Sequence, residues 1–177
     1  MFGVAGDYDG RLMAANGGTL FLDEICSCPP AAQAKLLRVI EDKQVFPVGA
    51  SASVPVSFRV ISATNEDAAQ AVAANRLRQD LLFRLNTFVL NLPSLRSRRD
   101  DLPLLASHFL GEYARVHETA APELSQDDLA ALLAHDWPGN VRELRNVCER
   151  RVLAARRGGG SMAAAIRSDQ QLDDVPD

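Results

Sequence analysis

The stretch that most constrains this chain is Gly17 to Ile25, read as GGTLFLDEI. A glycine pair breaks whatever precedes it. Thr19, Leu20, Phe21 and Leu22 then form an apolar run with strand character and no alternation. Such a run predicts a strand buried on both faces, as in a parallel sheet. Two acids, Asp23 and Glu24, close it. Acids in that place sit at the carboxyl edge of an open α/β sheet, where ligands bind. The chemistry is that of a Walker B element. The first acid holds Mg²⁺, usually through water, and the second orients and polarises an attacking water.

Composition allows such a sheet and narrows the alternatives. The chain has 177 residues, 47% of them hydrophobic, so one ordinary domain or two small ones can build a core. The net charge of −4 argues against a generally basic nucleic-acid surface. Cationic charge is nevertheless clustered. Arginine outnumbers lysine 17 to 2, with six arginines from Arg76 to Arg99 and six from Arg142 to Arg157. Clustered arginine suits phosphate recognition and subunit interfaces. The three cysteines, Cys26, Cys28 and Cys148, lack the spacing of a disulfide framework or a zinc site. No signal peptide is visible, and no apolar run reaches the ~18 residues of a spanning helix. A reduced cytoplasm is therefore the expected compartment, with no membrane partner.

The order of elements follows from punctuation and period. Residues 1–16 read as glycine-rich and irregular, with a short helical turn from Arg11 to Ala15. Pro29-Pro30 introduces a helix from Ala31 to Asp42, since proline suits the first helical turn. Residues 45–56 read as a small hairpin with Gly49 and its neighbours in the turn. Arg59 to Ala63 is a second buried strand, with Thr64-Asn65 at its end. Helices are expected from Glu66 to Asn75 and from Arg78 to Leu85, and a third strand from Thr87 to Leu92.

Pro93 opens a charged, proline-interrupted linker, and helical periods dominate after it. Leu104, Leu105, Phe109 and Tyr113 space out one amphipathic helix, and Leu129, Leu132 and Leu133 another. Ser125 with Asp128 resembles a capping box, although Glu or Gln is the usual partner. Asn140 caps a final helix that runs to about Arg157. Three parts result: an α/β part over residues 1–92, a helical part over 93–157, and a tail over 158–177 without clear period that is expected to be mobile.

Four features stand in fixed order: the acids Asp23-Glu24, the polar pair Thr64-Asn65, the arginines Arg78 and Arg84 flanking a short helix, and Arg142 at the start of the last helix. A cation at a helix start opposes the dipole and makes better sense if an anion neutralises it. Together with the stretches GGTLFLDEI, AQAKLLRVIED, VFPVG, FRVISATN, RLRQDLLFRLNTFVLNLPSLRSRRDDLPLL and WPGNVRELRNV, they resemble the AAA+ domain of the sigma-54-dependent transcription activators, the bacterial enhancer-binding proteins.

The resemblance implies a partial AAA+ parallel sheet followed by a small helical lid, with ATP and Mg²⁺ as cofactors. It implies that Asp23 holds Mg²⁺ through water and that Glu24 polarises water. It makes Thr64 and Asn65 sensor I, Arg78 and Arg84 arginine fingers for a neighbouring subunit, and Arg142 sensor II. It further implies a ring, usually a hexamer, that remodels RNA polymerase holding sigma-54. The hairpin of residues 45–56 matches a surface loop near the ring's pore.

The sequence also departs from that family. Walker A requires a glycine-rich loop ending in Lys and then Ser or Thr, yet Ala34 precedes Lys35 and Asp42 precedes Lys43. Met1 is therefore read as starting partway through the domain, and nucleotide hydrolysis is not expected of this chain alone. Only Val4 to Asp9 stand where typical members carry GAFTGA, which puts sigma-54 contact in doubt. No helix-turn-helix pattern follows Gly160, so no direct DNA binding is expected.

A second reading is a non-enzymatic interaction module that forms mixed rings with a complete relative and inhibits them. A third is a remnant whose incomplete sheet leaves Leu20 and Leu22 poorly covered, each forfeiting about 1.5–3 kcal/mol.

Overall fold

The computed structural model describes residues 5–47 and 52–173, with side chains from Gly10 to Asp169. Contacts divide the chain into two units, Met1–Leu90 and Asn91–Asp177.

The first unit begins with helix α1, Ala5–Ala14, longer than the turn that its glycines suggested. Strand β1, Thr19–Leu22, leads to a 3₁₀ turn at Ile25–Ser27 and then to helix α2, Pro30–Asp42. Pro30 occupies the first turn, where a missing N–H costs nothing. The helix ends at Lys43, whose left-handed φ of 55° lets its N–H donate to the Val39 carbonyl. Strands β2, Gln44–Val45, and β3, Val54–Pro55, pair antiparallel as the base of the expected hairpin. The expected turn at Gly49 lies outside the described residues.

Strand β4, Arg59–Ser62, pairs parallel with β1, with Phe21 opposite Ile61 and Leu22 opposite Ser62. Helices α3, Ala68–Ala73, and α4, Gln79–Leu85, complete the unit. Its core joins Leu36, Val39 and Ile40 of α2 to Val45, Ala71, Leu77 and Leu81.

Two strand expectations are corrected. Neither β1 nor β4 is buried on both faces. Leu20 and Leu22 turn inward and are half-buried, whereas Phe21 and Ile61 on the opposite face are 59% and 45% exposed. Concern about cover therefore belongs to Phe21 and Ile61 rather than to Leu20 and Leu22. The residues from Thr87 to Leu92 form no strand. Phe88, Leu90 and Leu92 are all about nine-tenths exposed. A β-favouring composition needs a neighbouring ladder to become a strand, and this stretch has none.

The second unit is helical. Two 3₁₀ turns, Leu95–Ser97 and Arg99–Asp101, precede helix α5, Leu102–Val116. Helices α6, Gln126–Ala134, α7, Asn140–Arg156, and α8, Met162–Asp173, follow. Leu102, Ala106, Leu110, Leu132, Trp137, Leu144, Val147, Val152 and Met162 make one core. Leu104 and Leu133 were expected on buried stripes, but they are exposed.

The segment read as a linker is instead anchored. Leu95 is fully buried and its N–H donates to Asn140 Oδ1 at 3.1 Å. Arg99 Nη2 donates to Asp136 Oδ1 at 2.9 Å.

The region after Gly160 is also corrected. It forms α8, whose Met162, Ala165 and Ile166 are buried in the core at helical spacing. Two glycines make the connection possible, Gly158 with φ +83° and Gly160. Gly160 has φ +100°, and a Cβ there would stand 2.6 Å from Ala154 Cβ. Asp128 ties α8 down. Ser125 Oγ accepts the Asp128 N–H at 3.1 Å and Asp128 Oδ2 accepts the Ser125 N–H at 3.3 Å, a complete capping box. The other oxygen, Oδ1, accepts the Met162 N–H at 2.7 Å.

Candidate functional site

Parallel pairing decides which polar residues meet. Because β1 and β4 run in the same direction with Leu22 beside Ser62, their carboxyl ends share one edge of the sheet. The pairing continues past the strands. Ala63 N–H donates to the Leu22 carbonyl at 2.8 Å, and Ile25 N–H donates to the Ala63 carbonyl at 3.1 Å. Asp23 and Glu24 therefore stand beside Thr64 and Asn65, and all four are exposed.

The two acids are held differently. Asp23 Oδ1 accepts the Glu24 N–H at 3.0 Å, which fixes one carboxylate oxygen and leaves the other oxygen free of a hydrogen bond among the described residues. Glu24 adopts the left-handed conformation, φ 50° and ψ 49°. A side chain there meets its own backbone at a cost that glycine escapes. The turn that follows is buried at Ile25 and Cys26. Thr64 braces it, donating from Oγ1 to Cys26 Sγ at 3.3 Å and accepting the Glu66 N–H at 3.2 Å. Thr64 and Asn65 do not cap the following helix. Asp67 does, with Oδ1 accepting the N–H groups of Ala69 and Gln70.

Arg78 is the N-cap of α4, whereas Arg84 lies within its last turn rather than flanking it, and both are exposed. Arg78 is gripped by its own helix. Its Nε donates to Asp80 Oδ1 at 3.0 Å and its Nη2 to Asp80 Oδ2 at 2.7 Å, a two-point fork. The hydrogen bond from the Arg78 guanidinium lowers the Asp80 carboxyl below the ordinary value, against desolvation that raises it. Arg84 forms no ion pair among the described residues.

The sequence reading missed Gln33. It is 1% exposed. Its Nε2 donates to the carbonyls of Cys28 and Arg76, each at 2.7 Å, and its Oε1 accepts the Arg78 N–H at 2.8 Å. A glutamine on the apolar side of the α2 period, three residues before Leu36, is the signal that could have found it.

Arg142 belongs to the second unit, in the first turn of α7, and is exposed. The N-cap of that helix is Gly139 rather than the expected Asn140, which is the first helical residue, and two nearby side chains take up N–H groups there. Asn140 Oδ1 accepts the Val141 N–H at 3.0 Å, and Glu143 Oε2 accepts the Gly139 N–H at 2.9 Å. Glu143 is itself buried, and its Oε1 lies 2.5 Å from His135 Nε2.

Among the described residues, no three His, Cys, Asp or Glu side chains stand together as a metal cluster. A cavity of about 400 Å³ lies elsewhere in the first unit, lined by Leu12, Lys35, Arg38 and Phe46 among others, and by none of the acidic-edge residues. No described helix is long and apolar enough to cross a membrane.

Comparison with known proteins gives the family and the fold. The family model for the sigma-54 interaction domain matches residues 2–91, and the model for the AAA+ ATPase lid domain matches residues 96–166. The chain is 45% identical over 170 residues to the DNA-binding transcriptional activator HyfR of Escherichia coli K12, covering 96% of this chain and 25% of that protein. It is 46% identical over 159 residues to the C4-dicarboxylate transport transcriptional regulatory protein DctD of Rhizobium meliloti, covering 90% of this chain and 35% of the relative. Among solved structures, NtrX from Brucella abortus in complex with ATP superimposes with a TM-score of 0.83 at 34% identity, covering 93% of this chain and 39% of NtrX. The ADP complex of NtrX gives 0.81 at 33%, over 93% of this chain and 41% of that one. The chain thus spans a quarter to two fifths of the proteins it matches.

Proposed function

This chain belongs to the sigma-54 interaction domain family, with a partial AAA+ fold and a helical lid, and from that premise we propose that it is the nucleotide-responsive part of a transcription activator. The observation that carries the reading is the shared sheet edge, where parallel pairing puts Asp23 and Glu24 beside Thr64 and Asn65.

The donor set fits magnesium and a nucleotide phosphate. Asp23 offers a free carboxylate oxygen to Mg²⁺ through water. Magnesium supplies charge neutralisation on the phosphates when bound. Glu24, one residue on, orients and polarises water, and Asn65 with Thr64 reports the phosphate state as sensor I. Arg78 and Arg84 serve a neighbouring subunit's nucleotide as fingers, and Arg142 touches nucleotide from the lid as sensor II. The functional assembly is a ring, a hexamer by family pattern, that remodels RNA polymerase holding sigma-54.

The 177 residues contain no phosphate-binding loop of Walker A type. The finger surface is therefore tested by mixing the chain with a complete relative and measuring the relative's ATPase rate. A working finger stabilises transition-state charge by about 10³–10⁵ in rate. Arg78→Ala is expected to abolish any change that the chain makes in that rate, while Arg115→Ala, on α5, leaves it intact. A rate insensitive to the chain and to Arg78→Ala would sink the finger assignment.

The exposed apolar pair Phe21 and Ile61, neighbours across β1 and β4, favours a second reading, a non-enzymatic module that joins and inhibits a relative's ring. That reading expects a fall in the relative's rate that Arg78→Ala does not relieve.

A further inference from the structure

We infer that Gln33 is a positioning residue that couples the two functional edges of one subunit, the acidic edge at Asp23-Glu24 and the finger at Arg78. The inference rests on the roles proposed for those residues.

A buried primary amide offers two donor hydrogens and an acceptor oxygen. Gln33 uses all three on backbone groups far apart in sequence, the carbonyls of Cys28 and Arg76 and the N–H of Arg78. Each partner belongs to a segment with a functional end. Cys28 closes the turn that begins at Glu24: Ser27 N–H donates to the Glu24 carbonyl at 2.8 Å, and Cys28 N–H to the Ile25 carbonyl at 3.2 Å. Arg78 is the N-cap of α4 and offers no side-chain cap of its own. Its N–H is held by Gln33 alone among the described residues.

The path from Glu24 to Arg78 therefore runs through one tight turn and one side chain. The turn cannot shift freely, because Ile25, Cys26 and Cys28 are buried. Nor can the start of α4, because Leu77 and Leu81 are buried on either side of Arg78. A displacement at Glu24 must then be carried by the amide to Arg78 or be absorbed by breaking its hydrogen bonds. Buried donors and acceptors resist the second course, since the partners left behind have no water to turn to. A subunit built this way links the state of its own acidic edge to the placement of the arginine it offers its neighbour.

The test is nuclear magnetic resonance on the chain, following the Arg78 backbone amide and its Nε signal. Glu24→Val, whose branched Cβ disfavours the left-handed conformation, forces the residue that opens the turn to shift and serves as the perturbation. In the Gln33 background it is expected to move both Arg78 signals by several linewidths. In the Gln33→Met background the displacement is expected to fall at least threefold. Equal displacements in both backgrounds, or none with Gln33 present, would overturn the coupling.

A second measurement needs no change at Gln33. Hydrogen exchange of the Arg78 and Cys28 amides in the unmodified chain should show one common opening with the same dependence on low denaturant. Separate openings would overturn the inference as well. Neither readout depends on ATP hydrolysis. Failure of the finger assignment in the mixing assay would therefore leave these results standing, and failure here would leave the mixing assay standing.

Discussion

Replacing Asp128 with alanine is expected to destabilise the helical unit by about 3 kcal/mol, in the range for removing one partner of a buried charged network. Asp128 is 3% exposed. Its carboxylate accepts the N–H groups of Met162 and Ser125 and lies 3.9 Å from Arg151 Nη2. Alanine would strand two donors, and Arg151 already has an unpartnered buried Nε. Because the Met162 N–H opens α8, loss of that helix should precede loss of α5 and α7. Amide exchange at Met162, read beside the thermal melt, checks both claims. An unchanged melting temperature would show that Met162, Ala165 and Ile166 hold α8 without the carboxylate.

The same residue gives a pH dependence of definite sign. Burial raises the Asp128 carboxyl, but the hydrogen bonds from Met162 and Ser125 and the Arg151 charge outweigh it, and the net shift is downward. A carboxyl whose folded value is lowered stabilises the fold fully above its unfolded value, about 3.9, and loses that contribution as pH falls through the folded value. The unit should therefore lose stability below about pH 4. Asp128→Asn, which cannot ionise, should lack this part of the acid dependence.

Leu81→Ala is expected to cost the α/β unit about 3 kcal/mol, typical for a fully buried leucine. Leu81 is 0% exposed and packs among Leu36, Val39 and Leu77. Helix α4 has seven residues, too few to persist in water without packing. Truncation should therefore free the helix as a whole, together with the arginines at its two ends. Exchange of the Asn86 amide, which donates to the Leu82 carbonyl at 2.9 Å, should accelerate by about two powers of ten. A slow Asn86 amide in the variant would mean that Leu77 and Leu85 suffice to hold α4.

These residues also show what the sequence could reveal. Local signals were legible wherever neighbours in the chain determined the outcome. Pro30 at the first turn of α2 is one example, and the Ser125–Asp128 box is another. The acidic and polar pairs at the strand ends were legible for the same reason, since Asp23 directly follows β1 and Thr64 stands two residues beyond β4. Outcomes decided by distant partners were not. Thr87 to Leu92 has strand composition but no ladder to join. The face of β1 that turns inward depends on which side the first unit's core lies, not on TLFL itself. Helix α8 is rich in alanine and shows few large apolar residues, yet Met162 and Ile166 find a core built by residues at least ten positions earlier. Gln33 showed in the sequence only as a polar residue on the apolar side of α2. Its role is written in three backbone groups, and backbone groups leave no trace in a sequence.

The left-handed backbone at Glu24 has a consequence for anyone who evolves this chain in the laboratory. Glycine accepts φ 50° freely, whereas a glutamate held there gives up as much as about 1 kcal/mol. A screen that rewards heat tolerance would enrich glycine at position 24, and its winners would have discarded the carboxylate. Enrichment of glutamate over glycine under a screen for biological output would then measure, in one number, how much the side chain is worth beyond the fold.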